Sequence, residues 1–527
     1  MKRLVTVIAA AVLVCASVRA GDPSVRLRRA FREAPVMLKG REVLWDEFLT
    51  GELTARKMLH QPVYKAPAFT LDKPWEGDGC GYFNVLFDPC TQLHYMYYTA
   101  LEMFKPDGTF TPTSDIHACV MLSADGVTWT RADVGEVVFE GSSANNIVAG
   151  VENVPGLTGL DNFYVMLDKN PSCPVSERFK AVMRYDGVDA DGKKTRKLVS
   201  LVSADGLHFH MHSTITDKGY FDTLNTVMWY EEGGRYLCFI RSFHQPGTFK
   251  EYEGKEKDGS LNSFVRDIRV LSSKDFVTWT EPRRLTFDSV ADFPLYTNCV
   301  SVYPHAPHML VGFPTRYCER AEWSDNFEQL CGRDKRLERM AYEPRFGLAV
   351  TDCLFMCSRD GESWHRFDEA FMRPGPEYPQ NWVYGSCYPC VGMIDAPSEI
   401  PGGDPVLSFF VYRNHWSGEP AVLERYLIRK DGFVSLHADA EESRLLTRPF
   451  IFEGDCMKLN FSTSAAGHVH VSLMTRDGRT ARSCELFGDS TDRIVTFDQP
   501  LDAFSGKPVV MLIELQDADV YAFEFIG

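Results

Sequence analysis

The sequence SADGVTWT (Ser123–Thr130) returns four more times: SADGLHFH (Ser203–His210), SSKDFVTWT (Ser272–Thr280), SRDGESWHRF (Ser358–Phe367) and a weaker RKDGFVSL (Arg429–Leu436). Each copy closes an alternating apolar run with an aspartate turn. The turn aspartates Asp125, Asp205, Asp275, Asp360 and Asp431 stand 80, 70, 85 and 71 residues apart. Asp-Gly between apolar runs is a hairpin signal, because glycine takes the positive φ of a tight turn and the aspartate bonds back to nearby backbone N–H groups. These aspartates are therefore read as structural. Trp129, Trp279 and Trp364 follow at a fixed offset and are expected to pack between neighbouring sheets.

Between the turns, each unit holds about four strands with period-2 alternation and no helical crossover. The first unit opens on WEGDGCGYFNVLFDP from Trp75, and the second contains NFYVMLDKNP and RFKAVMRYDG. Five such units predict an all-β fold, a five-bladed β-propeller over residues 71–432. After it, short strands without the repeat (DCMKLNFSTS, HVHVSLMTRDG, PVVMLIELQDA) predict a C-terminal β-sandwich over residues 433–527. Residues 21–70 show no clean periodicity and are read as a lead-in or cap segment. The charged insertion between Tyr317 and Tyr342 falls inside the fourth unit and has two readings, a helical wall on one side of a pocket or a plain solvated loop.

Residues 1–20 combine a basic start (Lys2, Arg3), an apolar run from Leu4 to Val14 and small residues ending at Ala20, the pattern of a signal peptide on an exported protein. Removing them deletes three basic residues and takes the formal net charge from −16 to −19. That balance argues against nucleic-acid and anionic-membrane partners, and no apolar run is long enough for a membrane span. Of the 15 cysteines, Cys353, Cys357, Cys387 and Cys390 have ribbon-like spacing but lie in apolar strand-like runs, so they are read as buried thiols. No metal site and no cofactor are expected.

Inner strands of a propeller line its channel, so acids near them are the candidates for chemistry. Glu76 and Asp78 stand in the first unit, Asp168 in the second and Asp222 in the third; the fourth and fifth offer Tyr296, Asn298, Asn381 and Tyr384. Cleavage of a glycosidic bond needs one carboxylic acid to protonate the leaving oxygen and one carboxylate as nucleophile or base, and a third carboxylate can orient and tune. The expected set is Glu76 and Asp222 as the working pair with Asp168 as the third. Asp78, Arg241, Arg266, Asp267, Tyr296, Asn298, His308 and Arg316 are the expected substrate contacts.

The five-unit count, the S-x-D-G-x-x-W strand ends and the acids of the first three units resemble the five-bladed propeller glycoside hydrolases of families 32 and 43. WEGDGCGYFNVLF, YFDTLN, RDIRVLSSKDFVTWTEP and NWVYGSCYP are similar to a large group of exported bacterial proteins described as family 32-like. The resemblance implies an exported glycosidase acting on an oligo- or polysaccharide, with a blade-one carboxylate as nucleophile or base, a blade-two carboxylate as tuner and a blade-three carboxylate as acid. Those positions are matched here by Glu76 or Asp78, Asp168 and Asp222. The Asn-Asp-Pro pattern of family 32 is absent, and the blade-three acid is Asp where the family has Glu. Two other readings stand beside this one: a non-catalytic carbohydrate-binding propeller, and a sialidase-like or uronic-acid-directed enzyme using Arg241, Arg266 and Arg316.

Overall fold

The computed structural model describes residues 29–105, 107–111, 115–188, 191–247 and 264–527. The signal peptide expected over residues 1–20 lies outside them. Four of the five aspartate turns are built alike. In the first, Asp125 Oδ1 accepts from the backbone N–H groups of Val127 (2.8 Å) and Thr128 (2.7 Å), and Ser123 Oγ donates to the same carboxylate (3.0 Å). Asp205, Asp275 and Asp360 repeat this on the residues two and three further along. The residue after each aspartate is left-handed: Gly126, Gly206 and Gly361 take it freely, whereas Phe276 takes φ 64° with its ring buried against Tyr236 and Trp279.

Five sheets follow one another along the chain. Blade 1 pairs Gly81–Asp88, Leu93–Ala100 and His117–Ser123, with Thr130–Arg131 and Ile147–Ala149 at its outer side. Blade 2 is Gly159–Leu167, Phe179–Val188, Lys194–Ser203 and His210–Thr216; blade 3 is Thr226–Tyr230, Arg235–His244, Val265–Ser273 and Arg283–Arg284. Blade 4 is built on Ala349–Ser358 and Ser363–Met372, with Ser301–Val302, Leu310–Gly312 and Thr315–Glu319 inside them and Thr286–Phe287 outside. Blade 5 holds Ile394–Ala396, Val406–Arg413 and Ala421–Arg429, and its fourth strand is Val63–Leu71 from the other end of the chain, running from Val63 opposite Leu427 to Leu71 opposite Ala421. The boundary expected at residue 71 thus cuts through a blade strand. Val63–Leu71 is an exposed edge strand, and Pro67 and Lys65 are tolerated there because one side of the strand has no ladder to fill.

Neighbouring blades are stitched by residues that each repeat supplies. Trp129 of blade 1 meets Phe410 of blade 5 edge-on at 6.0 Å, and Trp364 of blade 4 meets Phe239 of blade 3 at 5.9 Å. Near the axis, asparagines replace apolar contacts. Asn84 exchanges two hydrogen bonds with Val165 of blade 2, Asn162 donates to Phe221 O before blade 3, and Asn298 accepts from Thr226 Oγ1. At the outgoing ends of the inner strands, Asp88 of blade 1 binds Arg178 of blade 2 through two bonds of 2.7 and 2.6 Å. That pairing holds the Asp88 carboxyl at about 2.

The C-terminal strands form one hydrogen-bonded sheet of 11 strands organised on two long ones, Cys456–Thr475 and Val509–Ile526. The segments Val36–Met37, Glu42–Val43, Thr50–Leu53 and Arg56–Leu59 from before the propeller also join it, so the lead-in segment is shared between this sheet and blade 5. The fifth aspartate turn fastens this sheet to the ring. Asp431 is fully buried and takes hydrogen bonds from Arg41 Nε (2.7 Å), Tyr303 OH (2.7 Å) and Asn460 Nδ2 (2.9 Å). Arg41 is itself 4% exposed. Arg41→Ala strands a buried carboxylate and is expected to cost about 3–5 kcal/mol in equilibrium urea unfolding; a loss below about 1 kcal/mol would show that Asp431 is not held by this pair.

Candidate functional site

The inner strands all run in the same direction along the axis, so their first residues gather at one mouth of the channel and their last residues at the other. At the first mouth lies a cavity of about 200 Å³ to which all five blades contribute. Asp161 and Asp222 line it from blade 2 and from the segment entering blade 3. Arg345, on the short helix Arg345–Leu348 of the blade-4 insertion, lines it too. Tyr82, Tyr296, Tyr384, Tyr412 and Trp416 supply most of the remaining wall.

Local backbone geometry explains how Asp161 reaches the channel. The opening of the blade-2 strand, Asp161-Asn162-Phe163, matches Gly81-Tyr82-Phe83 in blade 1. Asn162 (φ 50°) and Tyr82 (φ 54°) are both left-handed, and the pairing register shifts just after each. Such a bulge re-aims one side chain without breaking the sheet. In blade 2 the re-aimed position carries a carboxylate; in blade 1 it is Gly81, where an added Cβ would meet Tyr412 OH at 2.9 Å.

The two carboxylates are driven apart in acidity. Burial pushes Asp161 up to about 6, opposed by Arg184 and reinforced by the charge of Asp222. Arg184 approaches Asp161 at 3.2 Å but is shared with Asp186. Burial also acts to raise Asp222, but its ion pair with Arg241, with Arg184 nearby, outweighs that and holds it at about 2. Asp161 therefore carries a proton in mildly acidic solution while Asp222 is ionised. Around them, buried polar atoms are without hydrogen-bond partners: Thr99 Oγ1, Tyr412 OH, and both ring nitrogens of His415. These residues are 1%, 2% and 7% exposed and line the cavity. Buried polar groups are nearly always satisfied in native proteins, so three such residues around one small cavity mark a place for a polar ligand.

The structure places the sequence-derived candidates as follows. Asp222 and Tyr296 line the cavity, Arg241 pairs with Asp222, and Arg266 lies over the Tyr317 and Tyr296 rings at 4.3 and 5.5 Å. Glu76 does not join them. It is fully buried at the outer side of blade 1, held by Arg131 through bonds of 2.9 and 2.7 Å, by Tyr98 OH and by the Lys73 N–H. Asp78 is a loop staple, accepting from the N–H groups of Met103 (2.6 Å) and Gly418 (2.9 Å). Asp168 stands seven residues beyond Asp161, roughly 23 Å along an extended strand, and lines a different, larger cavity of about 690 Å³ at the opposite mouth, bonded to Tyr236 OH at 2.7 Å.

Four more candidates have structural partners elsewhere. Asp267 binds Arg269 and His244, Asn298 knits blade 3 to blade 4, Arg316 is paired with Asp352, and His308 faces Glu42 at 3.4 Å. The functional residues that sequence reasoning passed over are Asp161, Arg184, Tyr82, Tyr412, His415, Trp416 and Arg345. Aligning GYFNVLFD with DNFYVMLD pairs Asp168 with Asp88, a blade-to-blade contact, and exposes Asp161 as the channel acid.

No protein-family model matches the sequence, and no curated protein matches it. Among solved structures, the chain is similar to an N-acetylgalactosamine deacetylase from F. plautii, at 12% identity over 70% of this chain and 94% of that chain with a TM-score of 0.41. It is also similar to a family 43 arabinoxylan arabinofuranohydrolase from Bacillus subtilis, at 10% identity over 89% of this chain and 99% of that chain, TM-score 0.37. A family 32 β-fructofuranosidase from Bombyx mori is similar at 9% identity over 88% and 94%, TM-score 0.35. At these values the five-blade architecture rests on the sheet topology, and the site on its own geometry.

Glu76 and Asp168 lie away from the cavity, so Glu76→Gln and Asp168→Asn are expected to leave ligand binding there unchanged. Glu76→Ala, which leaves the buried Tyr98 hydroxyl and the Lys73 N–H without their acceptor while Arg131 keeps Asp72, should lower stability by roughly 1–3 kcal/mol in urea unfolding. Loss of binding in Glu76→Gln with an unchanged melting temperature would return Glu76 to the site.

Proposed function

We propose that the protein is an exported glycoside hydrolase whose working carboxylates are Asp161 and Asp222. The observation that carries this reading is that Asp161 and Asp222 line one small cavity at the axis of the ring, among buried polar groups without partners among the described residues, in surroundings that push Asp161 up to about 6 and hold Asp222 at about 2. Asp161 is the general acid: its proton passes to the glycosidic oxygen as the bond from that oxygen to the anomeric carbon breaks. Asp222 faces the developing positive charge at the anomeric carbon. A carboxylate held near 2 by Arg241 is a weak proton acceptor, which favours attack on, or electrostatic support of, that carbon over deprotonation of water. Water then supplies the hydroxyl of the released sugar, and its remaining proton restores Asp161.

The tyrosines and Trp416 offer ring faces and hydroxyls for stacking and hydrogen bonding to a sugar. A cavity this small suits one terminal residue of a chain, so the expected cleavage is from an end of an oligo- or polysaccharide. The leader pattern of residues 1–20 supports work outside the cytoplasm, and among the described residues no helix is long and apolar enough to cross a membrane.

The test is release of monosaccharide from a panel of oligosaccharides and aryl glycosides. Asp161→Asn and Asp222→Asn should each lower kcat about 10²–10⁴-fold. Aryl glycosides with acidic leaving groups should recover much of the loss in Asp161→Asn alone, because they need no protonation. The rate should fall as pH rises through about 6, where Asp161 loses its proton, and Asp161→Asn should erase that limb. Full activity in both variants would overturn the assignment, and binding without turnover on every substrate would make the protein a saccharide-binding propeller.

A further inference from the structure

The cavity has two electrostatically different walls. Two arginines of blades 2 and 3 have acid partners: Arg184 pairs with Asp161 and Asp186, and Arg241 with Asp222. On the side of blade 4 and its insertion this balance is absent. Arg345 has no carboxylate within ion-pair distance among the described residues; its guanidinium lies over Phe346 at 4.5 Å, has Tyr317 as a side-chain hydrogen-bond partner and shares the site with Tyr384 and Tyr296. Glu319, at the end of the strand Thr315–Glu319, accepts from Tyr317 OH at 2.9 Å. Arg266 of blade 3, whose guanidinium lies against the Tyr317 and Tyr296 rings, likewise has no ion pair among the described residues.

The insertion adds charge of the same sign. Arg336 and Arg339 on the helix Arg333–Tyr342 are 1% and 2% exposed and donate only to backbone carbonyls, Arg336 to Trp382 O (3.0 Å) and Arg339 to His415 O (2.7 Å) and Trp416 O (2.5 Å). Arg339 thus stands directly behind two residues of the cavity wall. A chain with a formal charge of −16 has gathered uncompensated guanidinium groups on one side of a cavity that holds two carboxylates on the other.

We propose that the cavity takes a terminal sugar bearing an anionic substituent, carboxylate or sulfate, with Arg345 as its receptor. The planar guanidinium fork binds such a group through two parallel bonds. The anomeric carbon then lies toward Asp161 and Asp222, with the anionic substituent across the ring from them. The field of Arg339 favours the same orientation. Of the arginines that the sequence offered for an anionic sugar, Arg241 and Arg316 are taken by Asp222 and Asp352, and Arg266 lies against the Tyr317 and Tyr296 rings; Arg345, which the sequence did not single out, lines the cavity itself.

This inference rests on the cavity being a saccharide site, but its test needs no turnover. Binding of methyl glucuronide, methyl galacturonide and the methyl glycoside of glucose 6-sulfate is measured by titration calorimetry on the full chain, beside the neutral methyl glucoside and galactoside. At least one anionic glycoside should bind about tenfold or more tightly than its neutral counterpart. Arg345→Gln should remove that preference, Arg345→Lys should keep part of it, and Asp222→Asn should keep or strengthen it. Preference for the uronides assigns the carboxylate, and preference for the sulfated sugar assigns the sulfate. Equal binding of neutral and anionic glycosides, a preference that survives Arg345→Gln with an unchanged melting temperature, or no binding of any probe overturns the inference. Anionic preference without hydrolysis would uphold it while overturning the hydrolase reading; hydrolysis of neutral glycosides with no anionic preference would do the reverse.

Discussion

The pairing of Val63–Leu71 with Ala421–Arg429 is the contact on which the site depends. It closes a ring, and only a closed ring brings Tyr82, Asp161, Asp222, Tyr296 and Tyr412 around one axis when hundreds of residues separate the first from the last. Closure costs the entropy of tying the two ends of a long chain, and it is offset by burial between blades and by the backbone hydrogen bonds that cover the outer edge of Ala421–Arg429. The closing strand sits at the rim, with its side chains largely exposed. Its contribution is therefore backbone pairing, and the apolar core of the blade is already filled by Phe409, Phe410 and Leu423. The same N-terminal segment reaches on to the C-terminal sheet, where Arg41 finds Asp431.

Once the ring is closed, the axis poses a problem of polar satisfaction. Five inner strands with few hydrogen-bonding neighbours on their axial side present backbone groups that water does not reach. The asparagines Asn84, Asn162 and Asn298 answer this by bonding to the next blade, which explains polar residues at 0–2% exposure in the middle of an apolar fold. At the mouth the pattern stops: Thr99, Tyr412 and His415 are equally buried and unsatisfied. That Thr99, Tyr412 and His415 all line the cavity which also holds Asp161 and Asp222 favours this mouth over the other, although the larger cavity is there.

The repeat was legible because its physics is local. An aspartate that caps its own turn, a left-handed residue after it and a tryptophan at fixed offset all lie within eight residues, so five blades could be counted from the sequence. Two things were not local. Val63–Leu71 contains Lys65 and Pro67 and lacks an apolar face, because an edge strand buries little, so its membership of blade 5 had no signature of its own. The phase of the acids along the inner strands was also hidden. Glu76, Asp78 and Asp168 stand near strand ends, as Asp161 does, but Glu76 turns outward to Arg131, Asp78 staples a loop, and Asp168 closes the opposite mouth. The bulge that turns Asp161 inward is set by the left-handed residue after it, and asparagine there is only a weak sequence signal.

The insertion in blade 4 shows how a charged segment becomes a rigid wall. Among the described residues Arg336 and Arg339 have no carboxylate in ion-pair contact, and burial lowers both to about 10. A buried guanidinium without a counter-ion is costly, and here it is offset by carbonyl oxygens of Gly347, Trp382, His415 and Trp416. Those acceptors belong to the insertion itself, to the segment leading into blade 5 and to the loop between its two long strands. The two arginines therefore fix the helix to blade 5, and fix the His415–Trp416 loop in turn, where Asn414 and Trp416 are held left-handed at φ 66° and 52°. Replacing these carbonyl contacts by a salt bridge would have been less costly to bury but would have cancelled the positive charge behind the cavity. The arrangement keeps both the rigidity and the field, and a wall built this way is suited to holding Arg345 at a fixed distance from Asp161 and Asp222.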